Sequence, residues 1–152
     1  MGPAPGQPER QTSSGPQRTA AIAVELAAAL RPGDVVLLRG ELGSGKTTFV
    51  RGAARALGVT EPVTSPTFTI GQRYAGDVPV SHLDLHRLAG DHGLEAEDPA
   101  LLDDYLTADA IAFVEWPEPA APLITEPAAV VTLEHGGGDV REITIERPTR
   151  RS

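Results

Sequence analysis

Gly40-Glu41-Leu42-Gly43-Ser44-Gly45-Lys46-Thr47, followed by Thr48, fits the pattern G-x-x-x-x-G-K-[ST] at every fixed position. Each fixed position has a physical task. Glycines permit backbone conformations that a Cβ would forbid, so successive N–H groups can turn inward around a phosphate. The Lys46 ammonium is placed to reach β- and γ-phosphates, and the Thr47 hydroxyl to ligate Mg²⁺. A helix opening at the loop aims the positive end of its dipole at the same anion. The competing explanation is a chance match in a glycine-rich chain, and the flanks weigh against it. Val35-Val36-Leu37-Leu38 reads as a buried strand before the loop, and Val50, Ala53, Ala54 and Leu57 fall on one helical face after it. Of 13 basic residues, Lys46 is the only lysine; the rest are arginine. A chain that otherwise writes arginine has put a compact ammonium where a phosphate loop needs one.

The 152 residues suffice for one domain with a single core, and 40% of them are hydrophobic. No cysteine is present, which excludes disulfides, thiolate metal sites and a cysteine nucleophile. No stretch resembles a signal peptide or approaches a membrane span, so a cytoplasmic location is expected. A net charge of −8 argues against tight binding of nucleic acid by the domain itself and suits solubility or a basic partner surface.

Residues 1 to 16, dominated by Gly, Pro, Gln and Ser, read as a flexible leader, and 148–152 as a loose tail around a domain spanning 17–147. Thr19 can cap or open a first helix in which Ile22, Leu26, Ala29 and Leu30 form an apolar stripe. Pro32-Gly33-Asp34 is a turn, and Gly58 stands where the helix after the loop should end. Phe68 and Ile70 alternate with polar residues, as do Val80 to Leu88, and the intervening Ala75-Gly76-Asp77 makes them a hairpin. A polar, acidic stretch over 89–98 precedes a short helix at Asp98-Pro99 carrying Leu102, Tyr105 and Leu106. Ala110 to Val114 has the near-continuous apolar character of a strand covered on both faces. A proline-rich connector, 117–127, leads to a terminal hairpin in which Val131 and Leu133 face Ile143 and Ile145. This order predicts a single α/β domain of the P-loop NTPase type, with a central, mostly parallel sheet, flanking helices and β-hairpins.

Nucleotide hydrolysis or transfer needs an acid to organise metal and a group to aim the nucleophile. Glu115 caps the apolar strand 110–114 and is expected to project from the sheet edge. Asp84 shares a strand face with His82 and His86, while Leu83 and Leu85 take the other. The competing reading for either acid is a solvated carboxylate, and their placement at strand ends weighs against it. The preferred division puts Asp84 near Mg²⁺ and Glu115 on the attacking water or as a second metal ligand; the reverse is also open. His82, Asp84 and His86 could together suit a transition metal, although a further ligand is not evident. Trp116, the only tryptophan, either packs under the sheet edge or forms a docking surface beside the nucleotide. Arg73, Arg87 or a partner could supply an arginine to stabilise transferred charge. The guanine-reading N-K-x-D motif needs a lysine outside the loop, so adenine is favoured.

Four segments in order, Gly40 to Thr48, Thr64-Ser65-Pro66-Thr67-Phe68, His82-Leu83-Asp84-Leu85-His86-Arg87-Leu88 and Val114-Glu115-Trp116-Pro117, resemble the bacterial TsaE family, also called YjeE. The resemblance runs from about Thr19 to Glu146. It implies a small ATPase, using ATP and Mg²⁺, needed for the threonylcarbamoyladenosine modification beside the anticodon of tRNA and acting with the TsaB–TsaD pair. By position, Ser65, Pro66 and Thr67 would form a switch-like loop near the γ-phosphate. Asp84 matches the family's metal-associated aspartate, Glu115 and Trp116 its Glu-Trp pair, and Thr19 a threonine near the adenine. The implied catalytic set is Lys46, Asp84 and Glu115, and the implied metal set Thr47, Asp84 and Glu115. Glu41 to Thr48, Thr19 and Trp116 would hold the nucleotide. His86 stands where the family usually has tyrosine and Pro119 where a basic residue is common, and the leader is not a family feature. A small-molecule kinase and a nucleotide-dependent adaptor that does not hydrolyse remain the alternatives.

Overall fold

Continuous apolar runs make strands that are buried on both faces, and the two such runs here lie side by side in the middle of the sheet. They are β2 (Val35–Arg39) and β5 (Ile111–Glu115), which follow β1 (Glu9–Ser13) and α1 (Pro16–Ala27) in a chain continued by α2 (Lys46–Ala56), β3 (Gly71–Tyr74) and β4 (Val80–Asp84). A short 3-10 helix, Pro99–Asp104, precedes β5, and β6 (Ala129–His135) and β7 (Arg141–Glu146) close the domain. This computed structural model describes residues 8–41, 43–65, 70–86, 99–118, 124 and 126–148. The strands form one seven-stranded sheet in the order β1-β7-β6-β2-β5-β4-β3. Pairing is parallel across β6, β2, β5 and β4 and antiparallel at both margins. The expected α/β architecture is therefore present, with its parallel part confined to the central strands.

Alternate residues of β2 divide the core in two. Val36 and Leu38 pack with Phe113 under Ile22, Leu26, Phe49 and Val50 of the two helices. Leu37 points to the opposite face, where Val114, Leu83 and Leu85 meet Leu102 and Ile70. Both helices thus cover one face, and they pack against each other. Their approach is closest at Gly52, where an added Cβ would stand 2.8 Å from the Cα and carbonyl oxygen of Ala20.

Several expectations hold at residue level. The helix after the loop ends at Ala56, with Gly58 at φ 90° just beyond it. In the terminal hairpin Val131 pairs with Ile145 and Leu133 with Ile143. The β3–β4 hairpin is present, its first strand starting at Gly71, and residues 66–69 and 87–98 lie outside the described residues.

Three expectations are corrected. The leader is not uniformly unstructured: Glu9–Ser13 forms an edge strand antiparallel to β7. Its sequence is polar throughout, so no apolar alternation marks it; backbone pairing to an already formed strand holds it there. The first helix opens at Pro16 rather than Thr19, proline fitting the first helical turn because its missing N–H has no helical partner there. That shift carries Thr19 into the helix and replaces the expected Ala29, which is exposed, with Ala23 and Ala27 on the buried stripe.

Gly52→Leu should force the helices apart and lower the unfolding free energy by about 1–3 kcal/mol in urea titrations. Ala21→Leu, on the exposed side of α1, should change it by less than about 0.5 kcal/mol.

Candidate functional site

The loop after β2 turns back over the carboxyl end of the parallel strands before α2 begins. Gly43 and Gly45 take φ of 78° and 102°, the left-handed region that glycine enters without steric cost. Gly40 also leaves no room for a side chain, since a Cβ there would meet Ser44 Oγ at 2.5 Å and the Leu133 carbonyl at 2.6 Å. Lys46, in the first turn of α2, curls back into this loop. Its ammonium donates to the Gly40 carbonyl and, at 2.9 Å, to that of Glu41. It also lies 4.7 Å from the ring centroid of Trp116, a cation–π contact. Burial pushes its pKa below the ordinary lysine value, and the nearby Glu115, Asp84 and Glu118 carboxylates oppose that shift.

Thr47, the next residue, joins the loop to the end of β5. Its hydroxyl donates to Glu115 Oε2 at 3.2 Å and is 3.2 Å from Ser65 Oγ. Glu115 is the last residue of its strand and only 3% exposed. The expectation of a carboxylate projecting from the sheet edge is thus corrected: it lies inward, beneath the loop. There Oε2 also meets Nε2 of His82, which is fully buried. Ser44 is likewise fully buried, and its Oγ has no partner among the described residues.

Asp84 ends β4 level with Glu115 and accepts the His86 N–H at 3.0 Å. Trp116 follows Glu115 at φ 53°, the one non-glycine residue with positive φ among those described. A bulky side chain in that region costs about 1–3 kcal/mol. It is held there by its N–H to the Leu38 carbonyl at 3.2 Å and by buried Pro117 after it. The His86 ring lies 4.7 Å from its ring.

Gly43, Gly45, Lys46, Thr47, Thr48, Ser65, Asp84, Glu115 and Trp116 line one cavity of about 340 Å³. Residues quoted from four separate segments of sequence thus meet around a single space. Thr19 lines a neighbouring cleft of about 110 Å³, which shares Gly43, Gly45 and Thr48 with the first. Its hydroxyl is 2.7 Å from that of Ser13. Glu41 contributes its carbonyl to Lys46. Leu42, Pro66, Thr67, Arg87 and Pro119 lie outside the described residues.

Arg73 is not drawn into the cavity, and the candidate transition-metal set is not assembled. Arg73 is held by both Asp109 carboxylate oxygens at 3.1 Å, by Thr107 and by the Asp104 carbonyl. His82, Asp84 and His86 do not converge: the first binds Glu115, the last packs on Trp116. No group of three or more His, Asp or Glu among the described residues is arranged to hold a metal ion.

Arg141 has no signal in the sequence, and His82 has a different role from the one its spacing suggests. Arg141, opening β7, donates to the Gly43 carbonyl at 3.1 Å and lines the Thr19 cleft. Only the three-dimensional return of the terminal hairpin to the loop reveals it. His82 was noticed for its spacing, but its contact with Glu115 depends on strand pairing across 33 residues of chain.

Fold and site together define a single-domain α/β protein with a G-x-x-x-x-G-K-T loop at the carboxyl edge of a parallel sheet core. The family model for threonylcarbamoyl adenosine biosynthesis protein TsaE matches residues 13–143. The tRNA threonylcarbamoyladenosine biosynthesis protein TsaE of Bacillus subtilis is 41% identical over 131 residues, covering 86% of this chain and 80% of that protein. Its namesake in Streptomyces coelicolor is 42% identical, covering 79% and 84%, and that of Treponema pallidum 35%, covering 90% and 98%. The crystal structure of Bacillus subtilis YdiB superposes with a TM-score of 0.77 at 33% identity, over 94% of this chain and 87% of that one. The chain belongs to the TsaE family, whose members are named as factors of tRNA threonylcarbamoyladenosine biosynthesis.

Replacing Arg141 with Ala removes the hydrogen bond that ties the hairpin to Gly43. Amide hydrogen exchange across Gly43–Thr48 should then accelerate about 5–10-fold, as expected for losing one bond worth ~1 kcal/mol. Protection in β2 and β5 should be unchanged.

Proposed function

We propose that this protein binds and hydrolyses Mg-ATP in support of the threonylcarbamoyladenosine modification of tRNA, acting with the TsaB–TsaD pair in the cytoplasm. The observation that carries the reading is the gathering of Lys46, Thr47, Ser65 and Glu115 around one cavity at the loop. The loop amides and the α2 N-terminus provide for the phosphates, and Lys46 exchanges its carbonyl partners for phosphate oxygens. Adenine is the base favoured, because the chain has no lysine left for a guanine-reading motif.

The donor set is one of hard oxygens, from the Thr47 hydroxyl and the Asp84 and Glu115 carboxylates, and it fits Mg²⁺. Bound there with the β- and γ-phosphates, the metal would offset charge that develops during transfer. Glu115, buried and aimed by its partners, orients the attacking water, while Asp84 stands at the more open side of the cavity. Trp116 covers the Lys46 ammonium. Among the described residues no arginine lines the 340 Å³ cavity, so a charge-stabilising arginine is assigned to Arg87 or to a partner. The net charge of −8 suits a basic protein surface better than tRNA, which the partners would hold. Among the described residues no helix is long and apolar enough to cross a membrane.

Phosphate release measured with and without the TsaB–TsaD pair tests the proposal. Hydrolysis should be slow for the isolated protein and faster with the pair. Lys46→Ala should abolish ATP binding. Glu115→Gln should still bind ATP while hydrolysing it at least about 10²-fold more slowly. Efficient phosphorylation of a small metabolite, indifferent to the pair, would overturn this reading in favour of a kinase.

A further inference from the structure

His82 is the one histidine whose ring is wholly buried among the described residues, and its strand partners are Gln72 on β3 and Phe113 on β5. In the parallel register of β4 and β5 it pairs with Phe113, so Glu115 is its diagonal neighbour two residues further along. The imidazole leans along the strand direction and meets Glu115 Oε2 through Nε2. The same Oε2 accepts the Thr47 hydroxyl, which in turn reaches Ser65. A single line of side chains therefore runs from the protein interior, through the carboxylate, to the loop.

The other ring nitrogen, Nδ1, is buried and has no hydrogen-bond partner among the described residues. An apolar side chain here could pack beside Phe113 without leaving a polar atom unpaired. A ring with one nitrogen unpaired is poor core material. What it contributes is an N–H at the depth of Glu115 Oε2, which neither a shorter polar side chain nor an apolar one supplies.

We propose that His82 is a positioning residue for Glu115: its Nε2–H holds Oε2 in place, so that the carboxylate faces Thr47 and the cavity in a single rotamer. The inference rests on the hydrolysis reading only in requiring that Glu115 act on nucleotide or metal. Gln places an amide N–H near the Nε2 position, whereas Leu places none and Asn falls short.

The experiment compares full-length His82→Leu, His82→Gln and Glu115→Gln, and the His82→Leu/Glu115→Gln double variant, in the presence of the TsaB–TsaD pair. His82→Leu should lower kcat about 10–100-fold and leave the metal-free Kd for ATP within about 3-fold. His82→Gln should recover most of the loss. Because His82 acts through Glu115, adding His82→Leu to Glu115→Gln should slow hydrolysis no further. Equal losses in the Leu and Gln variants, or undiminished loss in the Glu115→Gln background, would refute the proposal.

A readout independent of turnover separates this from failure of the hydrolysis reading. Even if the wild type hydrolysed no ATP, the gain in ATP affinity on adding Mg²⁺, followed by Trp116 fluorescence, should shrink in His82→Leu and persist in His82→Gln. An unchanged gain in His82→Leu overturns the proposal. Should His82→Leu fail to fold, His82→Asn replaces it, with the same expected loss and the same overturning result.

Discussion

The parallel register of β2, β5 and β4 sets Leu38 level with Glu115, and Glu115 level with Asp84. Because side chains alternate faces along a strand, slipping this pairing by one residue would send each acid to the opposite face of the sheet. The apolar runs prevent the slip: Phe113 and Val36 fit only beneath the helices, Val114 and Leu37 only on the other side. Core packing on both faces thus determines where the carboxylates stand. The loop and α2 emerge from β2 directly above them, which is how residues far apart in sequence share one cavity.

Within that frame the buried charges hold one another in place. Lys46 is taken out of water, and Glu115 and Asp84 offset part of the cost, as does the pair of loop carbonyls that accept its hydrogen bonds. A buried ammonium without such partners would be expensive. The aromatic face of Trp116 adds a further partner, and that residue takes a left-handed backbone between β5 and buried Pro117. Strain at this residue is sustained because Leu38, Lys46 and His86 all bind it.

How much of this was legible in the sequence depended on the range of the interaction responsible. The loop motif, the apolar runs of β2 and β5 and the face of α2 are local patterns, and each appeared where expected. The terminal hairpin was readable down to its paired residues because alternation and a glycine-rich turn act together there. β1 was not readable: Glu9–Ser13 carries no apolar pattern and is a strand only because β7 offers it an edge. Glu115 was recognised from its position and its family resemblance. Its burial, its contact with His82 and the Arg141 clasp on the loop arise from pairings between distant segments, which leave no periodic trace.

The β1–β7 pairing has a consequence for the order in which the molecule is made. Glu9 lies opposite Ile145 and Ser13 opposite Arg141, so β1 leaves the ribosome well before the strand it pairs with. Ser13 holds Thr19, and Arg141 holds the Gly43 carbonyl. The cleft beside the loop is therefore walled by segments far apart in the sequence. Pairing β1 with β7 closes a long loop, which carries an entropic cost and raises the contact order, and the same pairing brings the walls of the cleft together.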